Sequence, residues 1–336
     1  MKALVFRSGL EVGVEQVPDP VAGPGEVALA VEAAGICHTD LDILHGRYPA
    51  ELPRIPGHEF AGTIVAVGDG VPRSRMGERV AIDPLLPCGS CRNCLRGHPN
   101  LCATLRAYGA HLDGGLAEFA VVRAGNAHPI GDLDAHLAAL AEPVGCAVNA
   151  IERAAPGIDD RAVVIGAGPM GMLLGIVLEG SGVHDLTAVD VALPRLERAG
   201  SFGFRHTIDS SAGLVESAGA RGFDLVIDAT GRPAVVQDAI GLLADAGTLV
   251  PFGVCPPGSK IVIDPNEVYA RQLRIIGSFS LASTIPRAVE ILRASSLPLG
   301  ELVTHRYPLD RAAEALAAVG TPESLKIHVS PTIPSS

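Results

Sequence analysis

Four of the chain's seven cysteines fall within fifteen residues: Cys88, Cys91, Cys94 and Cys102. C-x-x-C-x-x-C spacing wraps three sulfurs around one point, and Gly97 and Pro99 are turn residues that bring the fourth back. Tetrahedral Zn²⁺ takes four thiolates in this way. The segment, about 86–103, has almost no apolar content, so a bound metal would be its core. Such a site contributes on the order of 10 kcal/mol of apparent folding energy. Disulfides and an iron–sulfur cluster are the competing readings. The first needs an oxidising compartment, and the second more often shows a proline directly after the last cysteine. Zinc is the expected occupant, in a structural role that performs no chemistry.

At 336 residues the chain has room for two domains, each with its own core. The net charge of −11, with no Lys/Arg cluster, excludes nucleic acid as an expected partner. It also gives no general attraction to anions, so any phosphate must be bound locally. No window reaches the roughly 18 apolar residues that a membrane span needs. The segment Met1–Arg7 is too short in apolar residues to read as a secretory signal. The expectation is a protein of the reducing cytoplasm, in which Cys146 and Cys255 stay free. A short Pro/Ser tail closes the chain, Pro331–Ser336.

Two grammars divide the sequence. Up to about residue 145 it reads as short strands between Gly/Pro turns, for example Val27–Val31 and Phe60–Gly68, the pattern of an antiparallel barrel or sandwich. From Ala162 onward, apolar runs at Ala162–Ile165, Leu186–Val189, Leu225–Ile227 and Thr248–Val250 alternate with helical stretches. That alternation predicts a parallel sheet with helical crossovers. Helices are expected at Pro286–Ala294 and Leu309–Val319, and a final strand at Lys326–Val329 returning to the first domain.

The run Gly166-Ala167-Gly168-Pro169-Met170-Gly171 is G-x-G-x-x-G between a strand and a helix. The first glycine permits the tight turn, the second lets backbone approach a pyrophosphate, and the third lets helix and strand pack closely. The helix N-terminus then offers free N–H groups to the anion. Asp190, at the end of the next strand, suits the adenosine ribose hydroxyls and repels a 2′-phosphate. NAD is therefore expected over NADP, with Arg195 nearby as a group that can accommodate that phosphate.

Cys37 and the pair His58-Glu59 lie in separate loops of the first domain. Glu142-Pro143, at the junction into the second, offers a third ligand type. One thiolate, one imidazole and one carboxylate leave a tetrahedral zinc one open position, as a catalytic site requires.

Taken together, Gly35-Ile36-Cys37 with Thr39-Asp40, Gly57-His58-Glu59, the four-cysteine segment, Asp113-Gly114-Gly115, Glu142-Pro143, the glycine loop with Asp190, Asp228-Ala229-Thr230-Gly231 and Gly277-Ser278-Phe279-Ser280 resemble the zinc-dependent medium-chain dehydrogenase/reductase family. The similarity spans essentially the whole chain and lies on the sorbitol (polyol) and threonine dehydrogenase side. It implies an α/β protein with a GroES-like β-rich catalytic domain (1–147 and 286–336) and a Rossmann doubly wound NAD-binding domain (148–285). It further implies a catalytic zinc approached by Cys37, His58 and Glu142, with Glu59 as an adjacent, sometimes exchanging, ligand. Cys146, four residues beyond Glu142, is the rival third ligand, since the alcohol branch uses cysteine. The resemblance makes Thr39 the hydroxyl that passes the substrate proton outward. It places His38 and Lys326 at the cofactor phosphates and Ser278, Phe279 and Ser280 near the nicotinamide, with Thr230 and Val254 as further cofactor-binding residues.

Two departures from the family pattern stand out. The histidine that commonly ends the proton relay is replaced by Asp42, with His45 three residues on as a substitute. Ser280-Leu281 stands where sorbitol dehydrogenases carry an Arg-Tyr pair, which weakens the case for sorbitol itself. The implied reaction is hydride transfer between a secondary alcohol (a polyol, cyclitol or similar) and NAD, giving a ketone. A threonine-dehydrogenase-like amino-alcohol activity, or a general alcohol dehydrogenase or carbonyl reductase, is the alternative. The partners implied are a small alcohol or ketone and further copies of the chain, as tetramer or dimer, paired through the edge segment Leu273–Phe279.

Overall fold

In the computed structural model, which describes residues 1–209 and 211–331, the chain divides into two compact units. The first takes Met1–Gly145, Leu281–Ala294 and Leu299 onward; the second takes Cys146–Ser280 and Ser295–Pro298. Thr332 to Ser336 of the Pro/Ser tail lie outside the described residues.

The first unit is built on a sheet of seven strands among the described residues. Its centre is the eleven-residue strand Glu26–Ile36, which pairs antiparallel with Glu59–Val67, Phe119–Arg123 and the terminal strand Lys326–Ser330. One face buries Val27, Leu29, Val31, Ile36, Phe60, Ile64, Val80, Val122, Ile327 and Val329 in a continuous apolar core. The period-two alternation of apolar residues in these strands produces that face. The final strand joins this unit, as its sequence suggested. The stretch from Leu309 is a short 3₁₀ turn leading into the helix Ala312–Ala317, shorter than the amphipathic pattern implied.

The second unit is a parallel sheet of six strands among the described residues. Their order is His206–Ile208, Asp185–Val189, Arg161–Ile165, Phe223–Asp228, Leu243–Pro251, Arg274–Ile275. The strand order reverses direction beside Arg161–Ile165, with later strands added on its other side. This is the switch point at which doubly wound sheets bind ligands. The helix Pro169–Gly180 starts there and is buried from Gly171 to Leu178. A Cβ at Gly171 would collide with the carbonyl of Gly166, so the close helix–strand approach depends on glycine there.

On the second face of the first unit's sheet, His328 from the terminal strand stacks on His136 from the helix Ala135–Ala139. Their ring centroids are 5.4 Å apart and their Nδ1 atoms 3.2 Å apart. Burial, then the charges of Lys326, His136 and Arg306, hold His328 well below the ordinary histidine range. Burial and Arg306 also lower His136, against weaker opposition from Asp134 and Glu32. Both rings therefore resist protonation in the folded chain, whereas the unfolded chain takes up protons there below about pH 6.5. The pair's contribution to stability is fully present above that pH and is lost on acidification. The melting temperature should drop between pH 7.5 and 5.5, and His328→Leu should shrink that drop; an unchanged drop in the variant would remove the histidine pair as its source.

Candidate active site

The central strand ends at Ile36, and Cys37 caps the helix His38–Leu44 that follows. Strand register decides what faces Cys37. Gly35 lies opposite Glu59 on one side and His328 on the other, and Ile36 lies opposite Ile327. Cys37, Glu59 and Lys326 therefore come to the same end of three neighbouring strands. Gly35 has no side chain because Glu59 occupies the space: a Cβ there would collide with the Glu59 carboxylate.

The loop carrying His58 is fixed from two directions. Gly57 has φ +91°, and its N–H donates to Asp40 Oδ1 at 3.1 Å. Gly115 N–H donates to the Gly57 carbonyl at 2.9 Å, while Asp113 Oδ1 accepts from Ile55 N–H at 3.1 Å and from Arg54 Nη1 at 3.0 Å. The Asp113-Gly114-Gly115 motif thus clamps the histidine loop, and its glycines lie where a side chain would strike Gly57 or Phe60.

As a result the Cys37 sulfur, a ring nitrogen of His58 and a carboxylate oxygen of Glu59 all lie within 4.8 Å of one another. Glu142, second residue of the helix Ala141–Ala154, is buried and its charge acts on both His58 and Lys326. Among the described residues neither Glu142 nor its rival Cys146 belongs to that closest group. Cys37, His58 and Glu59 are the residues gathered within that limit, and the charge of Glu142 acts on the same cluster.

The electrostatics suit a cation. Burial alone would lower His58, but the Cys37 sulfur, Asp40 and Glu142 overcome it and hold the imidazole well above its ordinary value. Asp40 is wholly buried, and that burial raises its carboxyl. Lys326 Nζ donates to Glu59 Oε1 at 2.6 Å and lies 2.5 Å from Oε2, so the ammonium pairs with both carboxylate oxygens. A thiolate, an imidazole and a carboxylate are the donor types zinc takes, and the residues present fit that ion.

Lys326 departs from its expected place at a cofactor phosphate. Its ammonium is buried and held by Glu59, with Cys37 and Glu142 also favouring its charge against the cost of burial. Asp40 has a role that the sequence reading passed over. Its Oδ2 accepts the Cys37 N–H at 2.8 Å, Oδ1 accepts from Gly57, and Oδ1 stands 3.8 Å from His58 Nδ1. One carboxylate thereby joins the two ligand-bearing loops. The available signal was its position, three residues after the residue that caps the helix.

Thr39 Oγ1 lies 3.7 Å from the Cys37 sulfur. Asp42 accepts from Arg47 Nε at 2.8 Å, and the exposed ring of His45 shares a hydrogen bond with the Leu41 carbonyl at 2.6 Å. His38 opens the helix as an exposed side chain.

The cysteine segment gathers Cys88, Cys91, Cys94 and Cys102 within the same 4.8 Å limit. The Cys91 and Cys94 sulfurs are 3.5 Å apart, far beyond a disulfide bond of about 2.05 Å. Backbone N–H groups of Ser90 and Cys91 pull the Cys88 thiol down to about 5, and burial pushes Cys94 up to about 12. Leu95 and Leu101 are exposed, so no apolar core replaces the metal.

In the second unit the expected cofactor residues sit at the carboxyl ends of the parallel strands. Gly166 (φ +105°) follows Ile165, Gly168 caps the next helix, and Pro169 and Met170 form its first turn. Asp190 follows Val189; its Oδ2 accepts from Ala167 N–H at 2.8 Å and its Oδ1 from Ala192 N–H at 2.9 Å. Arg195 Nη1 is 3.7 Å from Asp190. Thr230 donates its hydroxyl to Asp228 Oδ1 at 2.6 Å, Val254 is exposed after Leu243–Pro251, and Ser278–Ser280 follow Arg274–Ile275.

Comparison with known proteins shows the family. Residues 23–132 match the alcohol dehydrogenase GroES-like domain and residues 169–294 the zinc-binding dehydrogenase domain. The chain belongs to the zinc-dependent medium-chain dehydrogenase/reductase family. Within it, the chain is 42% identical to D-altritol 5-dehydrogenase of Agrobacterium fabrum, over 92% of this chain and 93% of that one. It is 33% identical to D-arabinitol dehydrogenase 1 of Uromyces fabae, over 98% and 97%. A zinc-binding dehydrogenase of Sinorhizobium meliloti solved with NADP superposes with a TM-score of 0.94 at 32% identity, covering 98% of this chain and 99% of that one. This dehydrogenase thus joins the polyol and threonine dehydrogenase-like branch and is an oxidoreductase using zinc and a nicotinamide cofactor.

Replacing Asp40 with Ala leaves two buried N–H groups unpaired and frees both ligand loops. Outer-shell partners of metal ligands are worth 10–100-fold in affinity, so D40A should release one zinc to a chelator about that much more readily. Unchanged retention, followed with a zinc indicator, would contradict this role.

Proposed function

We propose that this dehydrogenase oxidises a secondary hydroxyl of a linear polyol to a ketone with NAD⁺, reversibly. The single observation that carries the reading is the partly buried Cys37–His58–Glu59 cluster, on which the charge of Glu142 also acts. The greater identity to a D-altritol than to a threonine dehydrogenase supports a polyol over an amino alcohol. When bound, zinc would act as a Lewis acid on the carbinol oxygen, and the nicotinamide would accept the hydride.

In this reading Cys37, His58 and Glu59 or Glu142 hold the catalytic ion, and the four-cysteine segment holds the structural one. Lys326 pairs with Glu59, and either Glu59 or Glu142 would serve as the carboxylate ligand of a bound ion. The Thr39 hydroxyl accepts the substrate proton. From Thr39 the residues Asp42 and His45 follow at intervals of three along one helix face. Arg47 Nε pairs with Asp42 at 2.8 Å, and if the His45 Nδ1–H donates to Leu41, its Nε2 is left to pass the proton to water. Asp190 receives the adenosine ribose, the glycine loop the pyrophosphate, and His38 a phosphate oxygen. We further infer a cytoplasmic homo-oligomer, a tetramer or dimer, paired through the exposed edge strand Arg274–Ile275.

Cys37→Ala should abolish turnover while NADH still binds, and should lower zinc from two ions per chain to one. Near-normal activity in that variant would sink the mechanism. Pentitols, hexitols, cyclitols, diols and amino alcohols, each tried with NAD⁺ and NADP⁺ and followed by reduced-cofactor absorbance, should single out a polyol with NAD⁺. A preference for L-threonine would overturn the polyol reading.

A further inference from the structure

The second unit contains a buried polar clamp that no step above uses. Asn149 lies on the helix Ala141–Ala154 and is only 6% exposed. Its Nδ2 donates to the Ser280 carbonyl at 2.8 Å, with Ser278 Oγ at 3.2 Å and the Phe279 carbonyl at 3.3 Å. An amide has two such hydrogens, so the two longer contacts share one. One turn further on, Arg153 Nε donates to the Gly277 carbonyl at 2.7 Å. The helix thus grips four successive residues of one loop.

That loop needs holding. Ser280 has φ +53°, in the left-handed region that residues with a side chain rarely adopt. Such conformations persist where the surroundings over-determine them, and they cluster at ligand sites. Phe279 remains 54% exposed even though its backbone is pinned.

Strand order indicates what the loop faces. Asp190 lies at the end of Asp185–Val189, on one side of the glycine loop. With the adenosine ribose there and the pyrophosphate at the glycine loop, the other half of a dinucleotide runs over the ends of Phe223–Asp228, Leu243–Pro251 and Arg274–Ile275. The loop 277–280 begins at the last of these strands.

We propose that Asn149 is a positioning residue for the nicotinamide end of the cofactor. It acts through the 277–280 loop, and Arg153 assists it. The proposal rests on the reading of this unit as the cofactor domain. Asn149 touches no reacting atom; it fixes the shape of the wall against which the nicotinamide half lies, so its loss spares the adenosine half.

The test compares two probes, NADH and ADP-ribose, which lacks the nicotinamide. Asn149→Asp keeps the shape but sets a carboxylate against two carbonyl oxygens. NADH affinity and kcat should each fall about tenfold, the loss expected for one or two hydrogen bonds, while ADP-ribose affinity stays within about twofold. Should the buried carboxylate prevent folding, Asn149→Ala reads the same ratio, and retained ADP-ribose binding certifies the fold. Equal weakening of both probes, or no change in either, overturns the proposal. Failure of the unsubstituted protein to bind either probe overturns the cofactor reading itself, and the proposal with it.

Discussion

The buried ion pair between Lys326 and Glu59 ties the end of the chain to the metal site. Two opposite charges, each almost wholly shielded from water, stand 2.5 Å apart between the terminal strand and a neighbour of the central one. Leaving either partner alone would cost about 3–5 kcal/mol, because an uncompensated charge would remain in the core. The pair therefore couples closure of the first unit's sheet to assembly of the site. Chain far beyond the nucleotide-binding unit has to return before Glu59 is neutralised. Cys37, His58 and Glu142 gather around the same charges, and their mutual influence raises both the imidazole and the ammonium against the cost of burial.

Much of this was readable from residue order, for a physical reason. The cysteine segment is local: four ligands in fifteen residues specify their own geometry, whatever the rest of the chain does. The parallel sheet announced itself through runs such as Ala162–Ile165 separated by helical stretches, because strands buried on both faces must be apolar throughout. Glycines 166, 168 and 171 mark close backbone approaches that few other residues permit.

What stayed hidden depends on register and on long-range contact. Nothing near Lys326 in the sequence reveals that Ile327 pairs with Ile36, which turns the ammonium inward to Glu59. Asp40 was visible as part of a motif, but its bond to Gly57 spans 17 residues and appears only when the two loops meet. Asn149 was invisible altogether, since its partners lie about 130 residues away. The amphipathic pattern after Leu309 overstated its helix because a 3₁₀ turn satisfies the same spacing of apolar residues at the start.

Each oxygen of the Asp190 carboxylate accepts one backbone N–H, one from the glycine loop and the other from Ala192, and each keeps a second lone pair for a further donor. On the proposed reading of Asp190 as the ribose acceptor, coenzyme choice and the shape of the phosphate cradle depend on one side chain. An engineer who neutralises Asp190 to admit a 2′-phosphate also slackens the turn that receives the pyrophosphate. A redesign that leaves this acid in place and recruits a cation from the following turn avoids that trade-off.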